Sequence, residues 1–347
     1  MRLPAVGLVP SLLILVACAT AGTEPLAGRP PHHVEGGGFR NVDPAFSRPS
    51  GWTRWSFIGR RMWQSLTVPR TFEAPRVVAD VARVRVANPA RLITWVGHAT
   101  LLVQMDGVNV LTDPNWSDRA GPTSWIGARR VSSPGLAFED LPRIDVVTIS
   151  HDHYDHLDLP TVRRLAAAHD PLFLVPLGMA AWFVDNGLPR VEELDWWQER
   201  EHRGVRFVCT PAQHFSQRSL WDGNRRLWAS WAVLGRERRF YHGGDTGYFD
   251  GFKEIGRRLG PFDVAALPIG AYLPAAIMKW VHTTPEEAVQ AFVDLDARTI
   301  LGMHWGTFDL ADEPLDEPPG RMLAEIRRRA IDPSRAWILK IGETRSW

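Results

Sequence analysis

The sequence predicts an α/β fold in which two β-sheets lie between helical layers. Two observations carry the expectation: from Arg91 short β-branched runs dominate, and further along the chain such runs alternate with helical segments. In chain order, runs bounded by turn formers place strands at residues 92–96, 101–105, 108–112, 144–150 and 172–175, then at 205–209, 227–234, 239–242, 264–267, 299–302 and 337–340. Helical periodicity places helices at residues 161–169, 178–186, 249–259, 285–295 and 320–330. The fourth has the clearest start. Thr284 is a capping residue, Pro285 takes the first helical position and Glu287 follows three residues after the cap, so the orphaned N-terminal amides find acceptors.

A chain of 347 residues is long enough for two domains, but one large sandwich at residues 91–347 preceded by a tether accounts for its length. With 40 basic and 39 acidic residues the formal net charge is +1, which argues against a nucleic-acid partner. Two cysteines exclude a disulfide scaffold or a cysteine-rich zinc module, whereas 12 histidines point to imidazole chemistry. Cys209 lies in an apolar run and is expected in the core.

Residues 1–17 read as an export signal. Arg2 supplies positive charge, residues 8–16 form an apolar stretch too short to span a bilayer, and the stretch ends in Leu15-Val16-Ala17-Cys18. This resembles a bacterial lipoprotein signal, cleaved before Cys18 and lipidated on its thiol; an ordinary secretory signal is the alternative. The expectation is a lipoprotein of the cell envelope facing the periplasm, anchored in a membrane by its lipid. Ala19 is not an acidic retention signal, which favours the outer membrane. Residues 18–50, rich in Pro and Gly, are expected to be a tether. Residues 51–90 begin with Trp52, Trp55, Phe57, Ile58, Met62 and Trp63, too apolar for a free linker, so this segment packs on the main domain or meets lipid.

The chemistry concentrates in His151-Asp152-His153-Tyr154-Asp155-His156, directly after an apolar strand. Imidazoles and carboxylates this dense cannot all be buried for packing, because each needs a hydrogen-bond partner or a cation. On a turning loop, His151 and His153 can face one metal while Asp155 and His156 reach a second. Further ligands are then needed at other strand ends, where His214, Asp245 and His304 stand. The Gly243-Gly244 pair lets backbone approach the metals beside Asp245. An all-nitrogen and oxygen donor set suits zinc and also admits iron or manganese.

With these residues in view, the chain is similar to the metallo-β-lactamase superfamily and, within it, resembles the N-acylphosphatidylethanolamine-hydrolysing phospholipase D family. The similarity spans residues 92–346, through Trp95-Val96-Gly97-His98-Ala99-Thr100, Leu111-Thr112-Asp113-Pro114, the histidine loop, Glu193-Leu194-Asp195-Trp196-Trp197, Thr210-Pro211-Ala212-Gln213-His214, Gly244-Asp245-Thr246-Gly247-Tyr248, Pro268-Ile269-Gly270-Ala271-Tyr272 and His304-Trp305-Gly306-Thr307-Phe308. The resemblance implies a four-layer αββα sandwich with two zinc ions at one edge. It puts His151, His153 and His214 on one ion, Asp155, His156 and His304 on the other, and Asp245 between them, with a metal-bridging hydroxide as nucleophile. It implies catalytic roles for Asp155, Asp245 and His282. His282 would contact a substrate phosphate or protonate a leaving group, although Val281 stands where the family's phospholipases often carry Gln.

Weaker expectations attach to other positions. His98 is expected behind the ligands, and Asp113 as a turn former that orients His98 or a ligand. Tyr248, Tyr272 and Trp280 are expected to line the substrate cleft, and Leu273, Ile277 and Met278 to meet acyl chains. Arg129 and Arg130 read as a solvated face able to touch anionic lipid. Most of Trp196, Trp197, Trp221, Trp228, Trp231 and Trp305 are expected in the core. The function implied is a phospholipase of D type that cleaves the phosphodiester of N-acylphosphatidylethanolamine-like lipids. A lactonase or soluble phosphodiesterase on the same site is an alternative, and a non-catalytic envelope lipoprotein with a structural metal site is another; the chain alone leaves a homodimer open.

Overall fold

The computed structural model describes residues 28–43, 46, 50–68, 70–86 and 91–347. Cys18 and the export signal lie outside them. Two short leading helices come first: α1 (Gly51–Thr67), whose capping residue Ser50 accepts from the Thr53 amide, and α2 (Val81–Arg85), capped by Asp80. An antiparallel meander follows, of β1 (Leu92–Gly97), β2 (Thr100–Met105) and β3 (Val108–Thr112), then a small ribbon of β4 (Arg119–Ala120) and β5 (Ala128–Arg129). Parallel strands β6 (Val146–Thr148), β7 (Leu172–Pro176) and β8 (Val191–Leu194) extend the sheet, with α3 (Leu159–His169) and α4 (Ala180–Asp185) between them.

The second half mirrors this plan. It comprises β9 (Glu199–His202), β10 (Val205–Thr210), β11 (Ser230–Leu234), β12 (Arg239–His242), α5 (Gly251–Leu259), β13 (Phe262–Pro268), α6 (Ala275–Met278), α7 (Pro285–Asp294), β14 (Ala297–Met303), α8 (Glu317–Arg328), β15 (Ala336–Trp337) and β16 (Thr344–Ser346). One sheet runs β16-β1-β2-β3-β6-β7-β8 and the other β15-β14-β13-β12-β11-β10-β9. The expected capping box forms at α7, with Thr284 and Glu287 bonding each other's backbone.

The layers follow from strand periodicity. Val103, Val110 and Val146 face the second sheet's Phe207, Val233 and Val264 in one apolar cluster, while their neighbours Leu102, Leu111 and Val147 point the other way onto Val162 and Leu165 of α3. On the far side of the second sheet, Phe252 of α5, Phe292 of α7 and Ile326 of α8 close the core. The result is the four-layer αββα sandwich. The two leading sheet strands are buried on both sides, so they read as mainly apolar runs without strict alternation.

Two expectations about segments change. Residues 28–43 are a strap, not a free tether: His32 Nε2 and His33 Nε2 lie 2.6 and 2.7 Å from the two oxygens of Asp195, and Phe39 enters the core. The strand expected at 144–150 keeps only Val146–Thr148, because the Ser150 amide leaves the ladder to donate to Asp113 Oδ1. That departure aims the histidine loop away from the sheet.

Candidate metal centre

The structure brings the expected ligands to one end of the sandwich. The histidine loop leaves β6, His214 follows β10, Asp245 follows β12 and His304 follows β14. His151 Nε2 and His214 Nε2 lie 2.8 and 3.2 Å from His153 Nδ1. Asp245 stands between the groups: its Oδ2 is 3.9 Å from both His151 Nε2 and His214 Nε2 and 3.2 Å from His156 Nε2, and its Oδ1 is 2.9 Å from His304 Nε2. Asp155 Oδ2 lies 3.4 Å from His156 Nε2 and 3.6 Å from His304 Nε2.

These contacts fit cations. Four ligands about 2.1 Å from a zinc ion at tetrahedral angles sit roughly 3.4 Å apart. His156 Nε2, His304 Nε2 and Asp245 Oδ1 are buried and have no aligned hydrogen-bond partner although they lie close together. Buried polar atoms converging without pairing are what a bound cation would satisfy. The two clusters, with Asp245 between them, can therefore hold metal.

Other groups fix the ligand rings. Asp113 accepts from His156 Nδ1 at 2.7 Å and from the Ser150 hydroxyl at 2.6 Å, and that hydroxyl lies 2.9 Å from His151 Nδ1. His214 Nδ1 donates to the Val281 carbonyl at 2.8 Å. Each bond directs the opposite nitrogen into the cluster. Asp113 thus orients the His156 ring, in line with the expected role. His98, with Nε2 3.0 Å from Asp155 Oδ2, braces that carboxylate. His98, Asp113 and His304 all have positive φ, at 54°, 38° and 62°, a strain of about 1–3 kcal/mol each that the buried surroundings sustain.

Electrostatics reinforce the grouping. Burial alone would raise the Asp155 and Asp245 carboxyls, but the imidazoles around them, His156 foremost, hold both well below the usual range. Burial pushes His151 and His214 far down, favouring the neutral rings that ligate metal. Burial also takes His282 down to about 4, despite Asp245 Oδ2 3.8 Å from its Nδ1.

A cavity of about 220 Å³ opens over the centre. His153, Asp155, Asp245 and His282 reach it, and Phe57 and Ile58 of α1, Ile277, Met278, Val281 and Leu310 give it apolar walls. None of the three residues expected to line it does so. Tyr248 turns its hydroxyl to Asp294 and Tyr272 to Glu317, at 2.6 and 2.7 Å, and Trp280 packs edge-on to Phe46. Arg130 is no solvated face either: it donates to Ser117 and Asn115 carbonyls and lies over the Phe308 ring. Trp221 is exposed, whereas Trp196, Trp228, Trp231 and Trp305 are buried as expected.

Two contributors were missed from sequence. Asn41 of the strap bonds both the amide and the carbonyl of His214 and so helps place a ligand from a segment read as tether. Arg54 of α1 lines the cavity. Only the Phe39-Arg40-Asn41 run next to a glycine cluster hinted at the first.

Comparison with known proteins agrees with this fold. Residues 108–305 match the family described as Beta-lactamase superfamily domain. The chain is 45% identical over 244 residues to N-acyl-phosphatidylethanolamine-hydrolyzing phospholipase D 1 of Caenorhabditis elegans, covering 67% of this chain and 68% of that one. It is 42% identical over 301 residues to the uncharacterized protein Rv0906 of Mycobacterium tuberculosis, covering 83% and 78%. Among solved structures, the metallo hydrolase Igni18 of Ignicoccus hospitalis superposes with a TM-score of 0.57 at 22% identity, over 74% of this chain and 97% of that one.

Proposed function

Because the chain belongs to the metallo-β-lactamase superfamily of metal-dependent hydrolases, we propose that it is a phospholipase of D type acting on N-acylphosphatidylethanolamine-like lipids. The carrying observation is the cavity, in which a cluster of metal donors faces apolar side chains such as Phe57, Ile58, Ile277, Met278, Val281 and Leu310. A phosphodiester with hydrocarbon on both sides matches that division. The named activity of the Caenorhabditis elegans relative supports the same substrate class.

In this reading His151, His153 and His214 would hold one divalent cation and Asp155, His156 and His304 a second, with Asp245 near both; zinc suits the donors. When bound, such a pair supplies an activated water and neutralises charge on the phosphodiester oxygens. The chain's own groups do the rest. Asp113, Ser150 and the Val281 carbonyl hold the ligand rings in orientation. His282, neutral at pH 7, offers a ring N–H to a phosphate oxygen, which favours a binding role over proton delivery. Phe57, Ile58 and Met278 keep water from the acyl side.

A membrane is the proposed partner. Trp52, Trp55, Met62, Trp63 and Leu66 recur at helical spacing along α1, and Trp52 and Trp63 are 82% and 68% exposed, while Phe57 and Ile58 of the same helix line the cavity. Among the described residues no helix is long and apolar enough to cross a membrane, so α1 would lie on one. A lipid on Cys18 would keep the protein at the cell envelope. The test is incubation of the metal-loaded protein with N-acylphosphatidylethanolamine in mixed micelles, read by mass spectrometry. Release of N-acylethanolamine and phosphatidic acid, abolished in Asp245→Ala, is expected. Hydrolysis of lactones or soluble diesters with no lipid product would overturn the lipid assignment.

A further inference from the structure

We infer that Arg54 is the anion-recognition group of the cavity, a guanidinium on α1 that takes a phosphate oxygen of the incoming headgroup. The helix itself supplies the contrast. Its neighbours Arg60 and Arg61 are paired, the first with Asp312 at 2.6 Å and the second with Asp309, so both are spent in seating α1 on the domain. Arg54 makes no ion pair among the described residues, its Nε is buried without a hydrogen-bond partner, and its side chain lines the cavity. A buried guanidinium nitrogen with nothing to donate to is a group waiting for an acceptor.

The surroundings select an anion. The carboxylates on the cavity wall are Asp155 and Asp245, both turned to the histidine clusters. Among the described residues that line the cavity no further carboxylate faces Arg54, and its other wall neighbours include Phe57 and Ile58. A planar guanidinium donates two parallel bonds to phosphate or carboxylate, and such charge-assisted bonds are about twice as strong as neutral ones. Its position on α1 adds a route: the helix that carries the exposed tryptophans also presents the cation, so a headgroup leaving a membrane would meet Arg54 with its tails against the apolar wall.

The identity of the anion as a phosphodiester rests on the proposed function; the anion site itself does not. The experiment therefore compares an anionic bis-aryl phosphate diester with a neutral aryl ester on the metal-loaded protein, and measures inorganic phosphate binding by calorimetry. In Arg54→Ala the KM for the diester should rise tenfold to a hundredfold relative to that for the neutral ester, and phosphate should bind more weakly by a similar factor. Arg54→Lys should recover part of both. Phe57→Ala, which removes wall but no charge, should shift the two substrates alike. Equal shifts for both substrates in Arg54→Ala, with unchanged phosphate binding, would reduce Arg54 to a structural residue of α1. A wild-type protein that releases no N-acylethanolamine, yet loses phosphate binding on Arg54→Ala, would retire the lipid reading and leave the anion site standing.

Discussion

Replacing Asp113 by Asn tests whether the metal centre is built from behind. Asp113 is fully buried, and its oxygens accept from the Ser150 amide at 2.6 Å, the Ser150 hydroxyl at 2.6 Å and His156 Nδ1 at 2.7 Å. Asn has nearly the same shape and tolerates the observed φ of 38°, so the backbone should survive. Its amide nitrogen, however, must face at least one of those donors. Turned to His156 it opposes a ring N–H; turned to Ser150 it opposes a backbone N–H. A hydrogen bond to a charged group contributes about 1.5–3 kcal/mol, so losing the His156 bond weakens metal affinity roughly tenfold to a hundredfold. The assay is competition for zinc between metal-stripped protein and a chromogenic chelator, with thermal melting as the folding control. If Asp113→Asn binds zinc as tightly as the parent while remaining folded, the carboxylate is only a turn former and the orienting role is wrong.

Further outcomes follow from the same structure. Burial lowers His304, but Asp245 and Asp155 more than offset this and raise it to about 9. In chelator-stripped protein its contribution to stability is therefore full below the unfolded value of 6.5 and lost as pH rises through about 9, and zinc must displace its proton; affinity measured by the same competition should climb between pH 7 and 9, and a flat profile would contradict the assignment. Burial would raise Asp195, but His32 and His33 hold it below 3.8, so the strap should stay pinned at neutral pH and release as pH falls below that value; Asp195→Asn should expose Arg40 to trypsin already at pH 7. Changing Trp52, Trp55 and Trp63 together to Ser should reduce co-sedimentation with phospholipid vesicles by at least about tenfold, since each buried aromatic contributes up to ~2 kcal/mol, while soluble diester hydrolysis persists. Gly244→Ala would set a Cβ 2.5 Å from Ser150 Cβ at a φ of +57°, and should cost about 1–3 kcal/mol in chemical denaturation and loosen metal binding through Asp245.

Most of the sandwich and the histidines and aspartates that converge at its edge were legible because each is a local signal. A buried strand such as Thr100–Met105 is apolar at all but Thr100 and Gln104, and a loop with histidines at 151, 153 and 156 needs no distant context to be unusual. Edge strands gave no such signal. Glu199–His202 and Thr344–Ser346 are polar, the first exposed and the second half-buried, and become strands only because a neighbour offers hydrogen bonds. Tyr248 and Tyr272 were misplaced for a related reason: a motif puts a residue near a strand end, but the carboxylates of Asp294 and Glu317 that turn their hydroxyls away belong to α7 and α8.

The same contrast separates chemistry from substrate choice. The donors stand at or just beyond the ends of core strands, and the solved structure at 22% identity shares that sandwich, so the fold by itself fixes no substrate. What distinguishes this cavity comes instead from segments outside the sandwich core: Arg54, Phe57 and Ile58 from α1, Asn41 from the strap, and Ile277 and Met278 from the α6 region. Ion pairs help hold these pieces, among them the Asp195 clamp on the strap and the Asp309 and Asp312 pairs on α1. Substitutions at Asp309 or Asp312 should therefore alter which substrates are accepted while leaving metal affinity near that of the parent, whereas substitutions at Asp113 should do the reverse. The two classes can be told apart by measuring zinc affinity and the anionic-to-neutral substrate ratio on the same variants.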